Sequence, residues 1–425
     1  MELASDTKNL AAYSPTSTPL LDVLRPVSRD SRGKLSAGEY FFLSGAFMLL
    51  LVMAGVPALR RLVMPADATS LWVTALVLPA LALAAAALIH ELGHLVAARL
   101  AGFRLLRLAI AAPATGRGAD QLHACKNEVL PVGSMVFVPR KLDRLENRLF
   151  AVFLGGPLAS LLWPAFLEAC PHWPQAHPWT QWFVHLWSAS SVLLGIAALL
   201  PDVSRRGVFS DGARLVMLLM NDARAARWTA TIRMQLALGE GKPAREWNPA
   251  WTIQATLLHD DDTRDAVTAQ WLAYLWAAER GDITTATRYL EEALAAPPAV
   301  ASRLRDRLFL EAAVFQAWFR ENPGKARVWA EHIHGGRLSM LEQERLKVAL
   351  LWAEGSLFDA WEKLSDYLTL LRELPASGVR ELAEKSALDW KRQMESRMLT
   401  RAWRTMYTVS QQVEGVTQGR EIASC

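Results

Sequence analysis

The run Ala84–Phe103, AAAALIHELGHLVAARLAGF, decides how the rest of the chain is read, because it sets ionisable side chains inside an otherwise apolar helical stretch. His90 and His94 are four residues apart, which at ~100° per residue puts them one turn apart on one helix face. Two imidazoles so placed can ligate one Zn²⁺ at ~2.0–2.1 Å. Glu91 stands beside them, able to reach a water held by such a cation and to take its proton as general base. Ionisable groups in a spanning helix cost on the order of 2–3 kcal/mol each near its centre, so this cluster points to function rather than chance. Gly93, between the histidines, thins the helix and admits a neighbouring segment.

Working outward, the flanking sequence predicts a membrane. Of the 425 residues 52% are hydrophobic and 21% charged, with a mean hydropathy of +0.12, a balance that disfavours a wholly soluble protein. Four stretches in the first half lack Asp, Glu, Lys and Arg for long enough to cross ~30 Å of hydrocarbon as helix. They are Tyr40–Leu59, Ala68–Ile89 with the motif continuing it, Leu149–Leu167, and the run Ala169–Pro201, whose spanning part starts near Trp179. Residues 1–39 are polar, carry no cleavable signal, and read as a disordered tail. Segment 99–148 holds nine Lys/Arg against four Asp/Glu, and the connection 169–179 holds none of the basic residues. The positive-inside bias then puts residues 99–148 and both termini on the cytoplasmic side of a multi-pass cell-membrane protein, of bacterial inner-membrane type. Arg60 and Arg61 run against that scheme. Short apolar runs at Arg104–Ile110 and Val129–Val138 predict two strands.

Beyond Asn221 the pattern turns polar, with apolar residues at three-to-four spacing, which predicts a cytoplasmic, soluble helical domain over residues 221–407 and a flexible tail over 408–425. Three segments, from Trp271, Phe309 and Arg345, read helix–turn–helix and resemble degenerate tetratricopeptide repeats, with Ala277, Ala278, Ala286 and Ala293 where helices would cross. Trp271, Trp276, Trp318, Trp329 and Trp352 are expected in its core. The fold class expected is therefore mainly α: a polytopic membrane core of about four spans over residues 40–220, with a small strand-containing insertion, followed by an α-helical soluble domain. A net charge of +4 without a basic block gives no sign of nucleic-acid binding, and three scattered cysteines exclude a disulfide scaffold and a Cys-based zinc ribbon.

Two imidazoles leave a catalytic zinc one protein ligand short. Asp211, in VFSDGARLVMLLM just past the last span, matches His90 in depth and side, although an Asp before Gly at a helix start also reads as an N-cap. His123, Glu168, His172, His177 and His185 are the other candidates.

His90, Glu91 and His94, followed by Leu95, Ala98, Arg99, Gly102 and Phe103, resemble the H-E-x-G-H stretch and its continuation in the site-two protease family of intramembrane zinc metalloproteases. Gly155, Gly156 and Pro157 match the family's G-P element, and Asp211–Gly212 its D-G motif. The resemblance covers roughly residues 40–220 and implies that His90, His94 and Asp211 hold Zn²⁺ and Glu91 is catalytic. It also implies a lipid-bilayer setting and a single-pass membrane protein as substrate, which would unwind and add as a strand beside the site. Ser160 and Ala198 stand where the family pattern has Asn, and the gap from Pro201 to Asp211 is longer than usual. The competing expectation is a membrane-anchored scaffold, with a protein partner at the C-terminal helices and a structural or inert metal. An oxidase or desaturase would need denser histidine clusters than these nine scattered residues.

Overall fold

The computed structural model describes residues 77–109, 134–169, 178–204, 207–258, 263–297, 304–333 and 338–422. The expected first span, Tyr40–Leu59, and the disordered tail over 1–39 lie outside the described residues. Among the described residues three helices are long and apolar enough to cross a membrane. They are α1 (Leu78–Leu100), α2 (Leu145–Glu168) and α3 (Pro178–Leu199), packed pairwise into one bundle.

As expected, the helix continues past Ile89 through the motif, and α1 ends at Leu100. About 15 Å of helix therefore lies beyond His90. His90 is buried against the neighbouring helices, which keeps an ionisable side chain out of contact with the surroundings of the bundle.

The first bundle helix is small on its buried side and large outside. α1 buries Ala82, Ala86, His90 and Ala98 and turns Leu81, Leu83, Leu88, Leu92, Val96 and Leu100 outward. Close packing of small residues is what holds helices together where the surroundings are as apolar as leucine. Gly93 of α1 meets Gly155 of α2 almost backbone to backbone: a Cβ on Gly93 would lie 2.3 Å from the Gly155 carbonyl oxygen. The neighbour expected to approach Gly93 is thus α2.

After α1, Gly102 (φ +75°) turns the chain into β1 (Phe103–Ala109), which pairs antiparallel with β2 (Ser134–Pro139), Phe103 opposite Pro139 and Ala109 opposite Ser134. The expected strands at 104–110 and 129–138 are present in part, and their remaining residues lie outside the described ones. Arg148, in the first turn of α2, fixes this corner. Its guanidinium donates to the carbonyls of Ala101 (2.6 Å), Gly102 (3.0 Å) and Lys141 (2.5 Å), satisfying groups that the end of α1 leaves without helical partners.

Two short helices follow the bundle: α4 (Asp211–Leu219), and α5 (Ala223–Gly239), whose Trp228 enters an apolar cluster with Ala98, Phe103, Leu145, Leu149 and Val152. Beyond α6 (Pro249–Thr256) come three helical hairpins: α7 (Arg264–Glu279) with α8 (Ile283–Leu294), α9 (Arg305–Trp318) with α10 (Pro323–Glu331), and α11 (Met340–Ala353) with α12 (Leu357–Glu373). These are the three segments read as helix–turn–helix. Their starts are built as the sequence suggests, with Thr263, Asp282 and Asn322 capping α7, α8 and α10, and a capping box of Ser339 and Glu342 on α11. Ala277, Ala286 and Ala293 are buried in the first hairpin, Trp318, Trp329 and Trp352 are buried, and Trp271 and Trp276 are partly so, as expected of core residues.

The last helix, α13, runs Gly378–Ile422. Residues 408–422, expected in an unstructured tail, are helical, and 423–425 lie outside the described residues: the polar composition belongs to the continuation of a helix, which needs no apolar face of its own once the preceding turns are anchored. That anchor is an aromatic stack in which Trp390 of α13 lies 4.2 Å from Trp318, which in turn lies 4.4 Å from Trp352.

Candidate metal centre

Three atoms from two separate elements converge beside Gly156. His90 Nε2 lies 3.1 Å from Asp211 Oδ2, His94 Nε2 lies 3.2 Å from the same oxygen, and the two Nε2 atoms are 3.2 Å apart. Ligands ~2.0–2.1 Å from a tetrahedral ion are separated by about 3.3 Å, so the spacing is that of a ligand set around one small cation. Among the described residues this is the one group of His, Cys, Asp or Glu able to hold a metal.

The tautomers agree. His94 Nδ1 is 2.7 Å from the Val152 carbonyl oxygen, which can only accept, so Nδ1 donates and Nε2 of the neutral ring presents a lone pair to the centre. His90 Nδ1 is engaged by Ser160 Oγ at 3.1 Å, leaving its Nε2 inward as well. Each imidazole is therefore oriented by an outer partner on α2, the arrangement that metal-ligating histidines use. Burial works against charge on Asp211, yet the two imidazoles facing it hold its carboxyl down at about 2, so it is an anion at neutral pH. Two lone pairs and an anion pointed at one another form a donor set that fits a divalent cation. Borderline-soft imidazole with carboxylate suits zinc, although the geometry alone does not select the metal.

Local sequence explains how Asp211 arrives. The N-cap of α4 is Ser210, whose Oγ accepts from Ala213 N, so Asp211 at the first helical position is released from the capping role it could have taken. The same Oγ donates to Leu200 O at 2.6 Å, and Ser210 N donates to Asp202 O at 2.9 Å. The long stretch between Pro201 and Asp211 is thereby closed on itself, and Asp211 starts directly at the end of α3. Gly212 permits that contact, since a Cβ there would lie 1.9 Å from Leu199 O. Gly156 does the same for His94: a Cβ there would meet the imidazole at 2.3–2.7 Å.

Glu91 is half-buried next to His90, within electrostatic reach of His94 and Asp211, and among the described residues no hydrogen bond or ion pair engages its carboxylate. Of the other candidate ligands, His185 is exposed on α3, Glu168 ends α2, and His123, His172 and His177 lie outside the described residues. Sequence reading missed the oriented shell. Ser160 was seen there as a departure from a pattern, whereas it is the partner of His90; the signal was its place on α2 one turn after Gly156. Scanned against protein-family models, curated proteins and solved structures, the chain gives no match.

Proposed function

We propose that this chain is an intramembrane zinc metalloendopeptidase that hydrolyses a peptide bond in or near a transmembrane segment of a membrane-protein substrate. The observation that carries the reading is the convergence of His90, His94 and Asp211 inside a helix bundle whose outer face is apolar, with the carboxylate of Glu91, unpaired among the described residues, at its side. A zinc ion in that triad would supply polarisation of the substrate carbonyl and acidification of water. Glu91 accepts the proton of the attacking water on its carboxylate and returns it to the leaving amine nitrogen. Ser160 and Val152 hold the rings of His90 and His94 with their Nε2 atoms turned inward, and the bundle keeps bulk water from the reacting bond. The ribbon of β1 and β2 leads straight off the helix that carries the site and is suited to receive an unwound substrate strand. The resemblance of the H-E-x-G-H, G-G-P and D-G stretches to site-two proteases supports the same assignment, as does the positive-inside pattern for a membrane protein with cytoplasmic termini.

Glu91→Gln tests it. The variant is expected to retain metal at the wild-type ratio and to lose cleavage of a co-expressed membrane substrate by about 10²- to 10⁴-fold. Full cleavage by Glu91→Gln would favour the alternative, a membrane-anchored scaffold with a structural metal, in which deletion after Asn221 is the change that destroys function.

A further inference from the structure

Asp211 is carried by a short helix that the rest of the molecule grips from the other side. Arg214 follows one turn later on α4, and its buried guanidinium pairs with Asp265 Oδ2 at 2.5 Å in the first turn of α7. The carbon of the same guanidinium lies over two rings, 4.0 Å from the centre of Trp228 and 4.9 Å from that of Phe209. Trp228 packs edge-on to Phe153 at 5.1 Å, and Phe153 packs edge-on to His94 at 6.2 Å. A second tie runs alongside: Arg264 N of α7 donates at 2.9 Å to Gly207 O, in the closed loop that delivers Asp211. Both ligand-bearing elements are thus in contact, through Arg214 and Trp228, with the first hairpin of the C-terminal helices.

We infer that the Arg214–Asp265 pair is a latch by which the C-terminal helical array positions Asp211, so that the array sets the affinity and geometry of the metal centre. The inference rests on the metal reading proposed above and adds regulation to it. Arg214 is a positioning residue: it touches no ligand atom, and acts by fixing the rotation of α4 about its axis. Asp265 is the residue through which a partner bound to the array could act, since displacing α7 withdraws the only carboxylate the structure pairs with Arg214 among the described residues. Lysine is a poor replacement for this arginine, because a guanidinium can lie against aromatic rings while its charge pairs with a carboxylate.

The full-length protein in detergent, stripped by chelation and titrated with Co²⁺, reads both affinity and ligand geometry through the visible absorption bands. Asp265→Asn is expected to weaken Co²⁺ binding by about 10- to 100-fold and to alter the bands, the range seen when outer partners of metal ligands are lost. Asp265→Glu, which keeps the carboxylate, is expected to recover most of that loss. Glu311→Gln breaks an ion pair with Arg345 elsewhere in the array, and is expected to lower thermal stability while leaving Co²⁺ affinity within about twofold. Wild-type affinity and bands in Asp265→Asn overturn the latch, as does an equal weakening by Glu311→Gln, which would mark general destabilisation. If Asp265→Asn does not accumulate, Arg214→Lys carries the same test, and wild-type Co²⁺ binding there overturns the latch. Failure of the wild type itself to bind Co²⁺ instead overturns the metal centre, a result separable from the others.

Discussion

The two halves of the chain bury apolar surface in opposite ways. Around α1 the bundle interior is alanine, glycine and serine, while leucine, valine and phenylalanine face out; Leu158, Leu162 and Phe166 of α2 are all exposed, and larger buried groups such as Leu145, Leu149 and Leu167 lie toward the ends of α2. In the array the interior is large: Tyr274, Phe315, Leu364 and Trp329 are fully or almost fully buried, and alanines are spent where helices cross. The array is organised by removal of leucine-sized groups from water. The bundle gains nothing that way if hydrocarbon surrounds it, and is held by backbone approach at Gly93–Gly155 and by polar contacts such as Ser160 to His90. The His90–His94–Asp211 cluster occupies the half in which polar groups can be buried only if they serve one another.

The strongest way to break this contrast is to put bulk where the bundle tolerates none. Gly156→Val sets a side chain where the His94 ring lies, and that ring is pinned by Val152 O and cannot turn away. Metal content is expected to fall to background by elemental analysis, with cleavage reduced at least about 100-fold, the scale of a reacting group displaced by an ångström. In the array the corresponding injury is loss of bulk. Trp329→Ala empties a site packed by Phe309 and His332, and is expected to cost about 3–5 kcal/mol in the unfolding of that half. Below the lowered midpoint, the metal content should be unchanged.

How far the sequence reveals each half follows from the same contrast. Helical hairpins announce themselves by three-to-four periodicity, caps and turn glycines, and Gly281 and Gly355 do adopt the left-handed turns their positions suggest. His90, Glu91 and His94 are legible because their spacing is chemical and local. Asp211 is legible only as a possibility from its own surroundings, since it lies far from the histidines in sequence and the loop that delivers it closes through Ser210, a residue with no distinguishing pattern. The latch is illegible altogether: nothing in RLVMLLM or TRDAVTAQ announces that Arg214 and Asp265 meet. The length of α13 is not legible because polar composition reads as solvent, whereas helix continuity depends on backbone hydrogen bonds and anchoring contacts.

A subtler probe sharpens the role of Ser160. Ser160→Ala removes the hydroxyl that orients His90 and leaves volume nearly unchanged, so the bundle should fold as before. Metal affinity is expected to fall by about 10-fold, the lower end for loss of an outer partner, measured by competition with a chromophoric chelator. An unchanged affinity would show that His90 is held in place by the packing of α1 without the hydroxyl.

The smallest expected effect carries the most information about the surroundings of the bundle. Leu162 is 58% exposed on α2 and Leu364 is fully buried on α12. Truncating Leu364 to alanine should cost about 2–5 kcal/mol by emptying a packed site, whereas Leu162→Ala should change stability by no more than about 0.5 kcal/mol. Water and lipid both predict that small number, so alanine alone does not tell them apart. Leu162→Arg does: a water-facing helix accepts it freely, but a lipid-facing one is charged about 2.5–3.5 kcal/mol for it near mid-depth. Insertion efficiency in membranes, compared between Leu162→Ala and Leu162→Arg, therefore decides whether the outward leucines face hydrocarbon. Equal insertion of the two variants would mean that the apolar exterior is covered by something other than lipid, and the inversion between the two halves would need another cause.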